Sequence, residues 1–245
     1  MRNIKLTMEY DGNKYKGWQK LGDSNNTIQY KLENSLSSIL GEEINIIASG
    51  RTDAGAHALN QVANFHCTNG ISPSKLIHKI NSALPNDILV KSAEEVPLNF
   101  HSRYNATRKT YTYKIDNGLF PGVFNTKFSH HVKDPLDIDK MRKAASYLIG
   151  KRDFQSFTAL KSSKKSTVKE LYCIEIEEKN NLIEISYTGN SFLYKMVRIL
   201  TGTLIEVGLN KIKPDDLIKI INAKDRQESG HLVPAQGLHL ISVEY

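Results

Sequence analysis

The run Gly50-Arg51-Thr52-Asp53-Ala54-Gly55-Ala56-His57 places one short carboxylate between two glycines, beside a guanidinium and directly after an apolar stretch. An ionised carboxylate in such a place can act as a nucleophile or a general base. Partial desolvation raises its reactivity, while a neighbouring cation keeps it charged. The commoner use of an Asp-Ala-Gly loop is an Asx turn in which Asp53 caps backbone amides, and local residues alone do not separate the two. Tyr111 and Tyr113, two residues apart, fall on one face of a strand. Arg103, Arg108, Lys109 and Lys114 make one basic region; Lys161, Lys164, Lys165 and Lys169 make another, with no acid before Glu170. Runs of this kind are usually solvated faces; against a polyanion such as a nucleic acid they could also grip phosphates, positioning it without reading its bases.

Other chemistries lack their residues. Gly12-Asn13-Lys14-Tyr15-Lys16-Gly17 has P-loop glycine spacing, but Trp18-Gln19 stands where a Lys-Ser/Thr pair would hold phosphate and magnesium. The G-x-G-x-x-G dinucleotide fingerprint, the zinc-deaminase H-x-E and P-C-x-x-C pair and the G-x-S-x-G elbow are all missing. Cys67 and Cys173 stand far apart with no C-x-x-C neighbour, which argues against a disulfide framework or a cysteine zinc site. The 33 Lys and Arg exceed 26 Asp and Glu, giving +7 with neutral His and favouring a polyanionic partner. Met1 to Gln19 has no signal-like apolar core and no stretch is long and apolar enough for a membrane span, so a soluble, cytoplasmic chain is expected.

The positioning elements follow from periodicity. At 245 residues the chain is near the limit for one core, which favours two domains. Ile4, Leu6 and Met8 alternate with polar residues as a half-buried strand. Ile28, Leu32, Leu36, Ile39 and Leu40 then mark one face of a helix stopped by Gly41. Strands are predicted over Ile44 to Ala48 and Val62 to Cys67, with a functional loop from Ser49 to Asn60. A helix follows from Pro73 to Ala83, then a strand from Asp87 to Val90. This β-α-β-β-α-β order is ferredoxin-like, and residues 1–104 form the expected first domain. Residues 105–245 echo the order: a strand over Lys109 to Ile115, a helix over Leu136 to Leu148, and two strands across Val168 to Tyr187 turning at Asn180-Asn181. A helix marked by Phe192, Met196, Leu200, Leu204 and Val207, another after Pro214, and a closing strand over Leu238 to Val243 complete it.

Tyr10-Asp11-Gly12 with Tyr15 and Gly17-Trp18-Gln19, then Gly50 to Gly55 with His57, closely resemble the tRNA pseudouridine synthase A family. Ala106 with Lys109, Tyr111 and Tyr113, then Asp153-Phe154 with Phe157, continue the match in the family's order. Phe192 with Met196-Val197-Arg198 and Gly202, and Pro234-Ala235 with Gly237-Leu238, extend it over essentially the whole chain. The resemblance implies isomerisation of uridine to pseudouridine in the anticodon arm of tRNA, at positions 38, 39 and 40. It implies an α+β fold of two ferredoxin-like halves sharing a mainly antiparallel sheet, with the active site in a cleft between them. It also implies a homodimer, and neither metal nor organic cofactor.

By the same resemblance Asp53 is the catalytic residue. Arg198 approaches and orients it, Tyr111 lies against the target base, and Arg51 fills the space left by the flipped base or holds its phosphate; Leu238 joins the substrate-binding set. The reaction breaks the C1′–N1 bond, rotates the uracil and joins C1′ to C5. Whether Asp53 attacks the sugar, attacks the base or takes a sugar proton stays open. Tyr113 and Trp18 are read as packing residues, and His57 lies outside the catalytic set. Ala56, Thr112 and Arg152 depart from the usual valine, arginine and histidine, and Thr112 puts one phosphate contact in doubt. Two rivals remain at this level: a catalytically silent RNA-binding module, against which the lack of an RNP1-type strand counts, and a base-excision enzyme that would release uracil.

Overall fold

The computed structural model describes residues 1–160 and 166–245 of an α+β chain. Lys161, Lys164 and Lys165 of the predicted basic run lie outside the described residues. The chain divides into two compact units, Met1–Thr107 with His239–Tyr245, and Arg108–Leu238.

In the first unit β1 (Arg2–Tyr10) leads to α1 (Ile28–Leu40), β2 (Ile47–Ala48), β3 (His57–Cys67), α2 (Pro73–Ala83) and β4 (Ile88–Val96). Strand β1 lies between β4 and β3, antiparallel to both, and β2 pairs antiparallel with the far edge of β3. The alternation read from the sequence is realised: Ile4, Leu6 and Met8 are at most 1% exposed. Helix α1 buries Ile28, Leu32, Leu36 and Leu40. Thr27 caps its first turn by accepting from the Tyr30 amide, and Gly41 ends it at φ 73°, a left-handed conformation that costs glycine little.

In the second unit β5 (Arg108–Asp116) is followed by β6 (His130–His131), α3 (Ile138–Ser146), β7 (Gly150–Asp153), β8 (Val168–Lys179), β9 (Leu182–Gly189), α4 (Met196–Gly208) and α5 (Asp216–Ala223). The strands run β5-β9-β8-β7, all antiparallel, with β6 added in parallel to β5. Asn180 and Asn181, at φ 52° and 63°, turn β8 into β9 as a two-residue hairpin loop of the twist-matched kind. Helix α4 is apolar nearly all round and accordingly buried on most sides.

Two expectations are corrected. The strand expected from Ile44 is only Ile47–Ala48. The Ile44 and Ile46 amides donate instead to the Ser37 hydroxyl and the Glu33 carboxylate on α1, so the apolar run is tied to a helix rather than to a ladder. Strand β3 begins at His57, which shortens the expected loop by four residues. The first unit runs to Thr107 and takes up His239–Tyr245 of the last strand, β10 (Leu238–Glu244), which pairs in parallel with β3 through His239↔His57 and Leu240↔Ala58.

Candidate catalytic site

Asp53 opens a four-residue turn between β2 and β3. The Ala56 amide donates to the Asp53 carbonyl at 3.1 Å, with Gly55 at φ 81° in the third position, the pattern of a type II turn. Both ends of this segment are tied to the loop after β1. The Trp18 amide donates to the Thr52 carbonyl at 3.1 Å, and the Gly55 amide donates to the Tyr15 carbonyl at 3.3 Å. A Cβ on Gly12 would stand 1.9 Å from the Ala56 carbonyl oxygen; one on Gly17, already at φ 91°, would stand 2.9 Å from that of Thr52. Two glycines some forty residues upstream therefore exist to let this backbone approach.

Side chains lock the same segment from beneath. Gln61 on β3 donates to the Gly50 carbonyl at 3.0 Å and to the Tyr10 hydroxyl at 3.3 Å, and accepts from Ser49 at 2.8 Å. With Gln61 donating to its oxygen, the Tyr10 hydroxyl satisfies its own proton on Thr52 Oγ1, 2.8 Å away. Burial pushes the Tyr10 phenol up to about 12. His57 accepts the Gly12 amide proton on Nδ1 at 3.1 Å and stacks on His239 at 4.8 Å, a structural arrangement for a histidine that is only 2% exposed. Trp18 packs at 2% exposure with its ring 6.1 Å from that of Tyr10. Asp53 itself is half-buried and Arg51 exposed. The result is a carboxylate presented on a fixed turn that retains access to solvent.

In the second unit Tyr111, on β5, is 8% exposed and meets Phe192 edge-on at 5.0 Å. Tyr113 is wholly buried and donates to the Pro234 carbonyl at 2.7 Å. Arg198, half-buried in the first turn of α4, donates through Nε to the Val233 carbonyl at 2.8 Å. Leu238 is 7% exposed. Thr112 shares a hydrogen bond with Ser186 at 2.8 Å, a neutral cross-strand pair at the position where the family arginine is common. The basic region of Arg103, Arg108, Lys109 and Lys114 is less open than its composition suggests: Lys109 is buried and Lys114 pairs with Glu184 at 2.8 Å, while Arg103 and Arg108 stay exposed.

Sequence reasoning missed the roles of Gln61 and Ser49. Gln61 shares β3 with four other polar residues, His57, Asn60, Asn64 and His66, so no local signal singles it out; Phe192 was taken for helix but precedes α4, which starts at Met196 after Lys195 at φ 61°.

The chain is thus an α+β protein that seats an acidic turn on backbone cleared by two glycines. The chain belongs to the tRNA pseudouridine synthase family, whose profile matches residues 6–105 and 144–245. It is 46% identical over all 245 residues, and over the whole of each relative, to a tRNA pseudouridine synthase A 2 of Bacillus cereus and a tRNA pseudouridine synthase A 1 of Clostridium tetani. A tRNA pseudouridine synthase A of a Thermoanaerobacter species matches to the same extent. Among solved structures, a chain in a crystal structure of a Cbf5-Nop10-Gar1 complex is similar at a TM-score of 0.36 and 12% identity, over 99% of this chain and 58% of that one. The protein is thus an isomerase that converts uridine to pseudouridine in tRNA.

Proposed function

We propose that the uridines converted are those at positions 38, 39 and 40 of the anticodon stem-loop, and that Asp53 is the catalytic group. The observation that carries the residue assignment is the convergence of three separated motifs on one turn. The Tyr10-Asp11-Gly12, Gly17-Trp18 and Gly50–Gly55 segments are joined through backbone bonds and glycine contacts, with Asp53 at the junction. A fold that needed only an Asx turn would not need two further glycines to seat it.

In this reading the target nucleotide leaves its stack, at a cost of roughly a few kcal/mol that RNA contacts offset. Asp53 then acts at the sugar or the base while the C1′–N1 bond breaks. The uracil turns, C1′ bonds to C5, the C5 proton leaves to a base, and N1 gains one, so atoms balance without oxidant or water. Arg51, exposed and in no ion pair among the described residues, is suited to a phosphate or to the vacated space. Tyr111, Arg198 and Leu238 complete the substrate-binding set, Tyr111 offering the part of its ring that Phe192 leaves uncovered. Each half follows a ferredoxin-like plan, supported in the first unit by the order β4-β1-β3 with β2 on the remaining edge. A cytoplasmic location and a homodimer belong to the same proposal. The dimer is supported by Leu119, Phe120, Val123 and Phe124, which stand 66–95% exposed on one loop.

The test incubates wild type and Asp53→Ala with an anticodon-arm RNA and maps pseudouridine by position. Wild type should convert uridines at 38–40, while the variant loses about 10³-fold in rate yet still binds the RNA. Binding without conversion by wild type would favour the silent module, and released uracil the excision enzyme.

A further inference from the structure

A cavity of about 530 Å³ opens in the first unit, and Asp53 is not among the residues that line it. It is walled by Lys14 and Tyr15 of the β1–α1 loop, by Tyr30, Lys31 and Asn34 of α1, and by Asp87 just ahead of β4. Its volume falls within the roughly 300–1,000 Å³ of small-ligand sites. Neither Lys14 nor Lys31 forms an ion pair among the described residues, so two cationic residues line the opening against one carboxylate, that of Asp87. The Tyr15 hydroxyl donates to one oxygen of Asp87. Burial and that carboxylate hold the Tyr15 phenol protonated, which leaves the other Asp87 oxygen to accept from a ligand. Tyr30, half-buried, adds an aromatic ring.

These groups select their ligand by elimination. A bare phosphate would meet Asp87 as a repelling charge and make no use of the Tyr30 ring; an apolar ligand would strand both lysines. A ribonucleotide satisfies all of them, with its phosphate on Lys14 and Lys31, its base against Tyr30 and a ribose hydroxyl or base amine donating to Asp87. We propose that this cavity holds an unpaired nucleotide of the tRNA substrate, separate from the one being isomerised. The proposal rests on the reading of the chain as a tRNA pseudouridine synthase. It has a mechanical corollary: Tyr15 accepts the Gly55 amide through its carbonyl, so a nucleotide seated against Tyr15 braces the loop on which the Asp53 turn rests.

The test combines Lys14→Ala with Lys31→Ala, whose side chains make no ion pair that the fold would lose, and adds Tyr30→Ala separately. Both variants should raise the tRNA Kd and the KM about tenfold with kcat within twofold. The lysine pair should also flatten the slope of log K against log salt by about 0.7, the value for one single-strand phosphate contact. A 4-thiouridine-substituted tRNA should cross-link to the peptide carrying Tyr30. Unchanged Kd and KM in both variants would overturn the proposal. So would uridine monophosphate binding that the lysine substitutions abolish while tRNA binding stays intact, since the occupant would then be a free nucleotide. Wild type that binds tRNA through this cavity but forms no pseudouridine would instead sink the enzymatic reading and leave the pocket standing.

Discussion

Asp53 owes its position to side chains that do no chemistry. The Tyr10 hydroxyl sits between Thr52 and Gln61, and Gln61 reaches on to Gly50, so both ends of the acidic segment hang on one buried polar network. Such a network stabilises only while every member is satisfied. Replacing Tyr10 by Phe leaves Thr52 and Gln61 short of a partner, and should lower stability by about 1–3 kcal/mol. The protonation state sharpens the test. Burial favours the neutral phenol in the folded state and outweighs the opposing effect of the Thr52 and Gln61 hydrogen bonds, raising the pKa from 10.0 to about 12, so the stability linked to the buried phenol is complete below pH 10 and is lost as pH rises from 10 through 12. A shift of that size corresponds to roughly 2–3 kcal/mol. Burial likewise raises Tyr15, Tyr113, Tyr187 and Tyr245, so the same alkaline limb carries all five. Thermal melts from pH 8 to 11.5 should show a plateau to about pH 10 and a fall above it. Tyr10→Phe should start lower and fall less steeply; a variant as stable as wild type with an identical alkaline limb would remove the network from the account.

Among elements, the two kinds of glycine in the first unit make opposite predictions. Gly41 ends α1 at φ 73° with nothing within 4 Å of an added Cβ, so Gly41→Ala pays only backbone strain, about 1 kcal/mol, and should leave catalysis alone. Gly12 has no special dihedral, but its added Cβ would collide with the Ala56 carbonyl, a backbone atom that can move only by displacing the Asp53 turn. Gly12→Ala should cost about 1–3 kcal/mol and, because a misplacement near 1 Å costs about 10²-fold, reduce kcat by about that factor. Melting curves and single-turnover rates on the two variants check the contrast; equal activity in both would detach Gly12 from the site. The same comparison explains what could be read beforehand. The face and stop of α1 and the Asn180-Asn181 hairpin were legible because each is a local pattern with a local cause. The shortened β2 was not, since nothing in Ile44-Asn45-Ile46 announces that Ser37 and Glu33 will take its amides. Gly12 could be matched to a family motif, but its reason, a contact with Ala56 across forty-four positions, belongs to tertiary structure.

The whole chain shows the same division between local and distant causes. Alternation marked Leu238 to Val243 as a strand, but no local pattern states that it will pair in parallel with β3, because partner choice is a long-range matter. The loop after β5 was equally silent. Polar brackets hide its apolar centre, and only the structure shows Asp116 accepting the Gly118 and Gly122 amides at 3.1 and 2.8 Å, which orders the loop and points Leu119, Phe120, Val123 and Phe124 outward. Four large apolar side chains held in the open by a buried carboxylate mark an interaction surface rather than a slack linker. A second copy of the chain is the proposed partner, and in a twofold interface each substitution counts twice. Burying one Phe contributes about 1.5–3 kcal/mol, so Phe124→Asp should weaken association by at least about 3 kcal/mol, more than a hundredfold in Kd. Sedimentation velocity at micromolar concentration should find wild type as a dimer and the variant as a monomer with an unchanged melting profile at the unit level. A wild type that sediments as a monomer at every concentration, or a variant that stays dimeric, would assign this loop to something other than self-association.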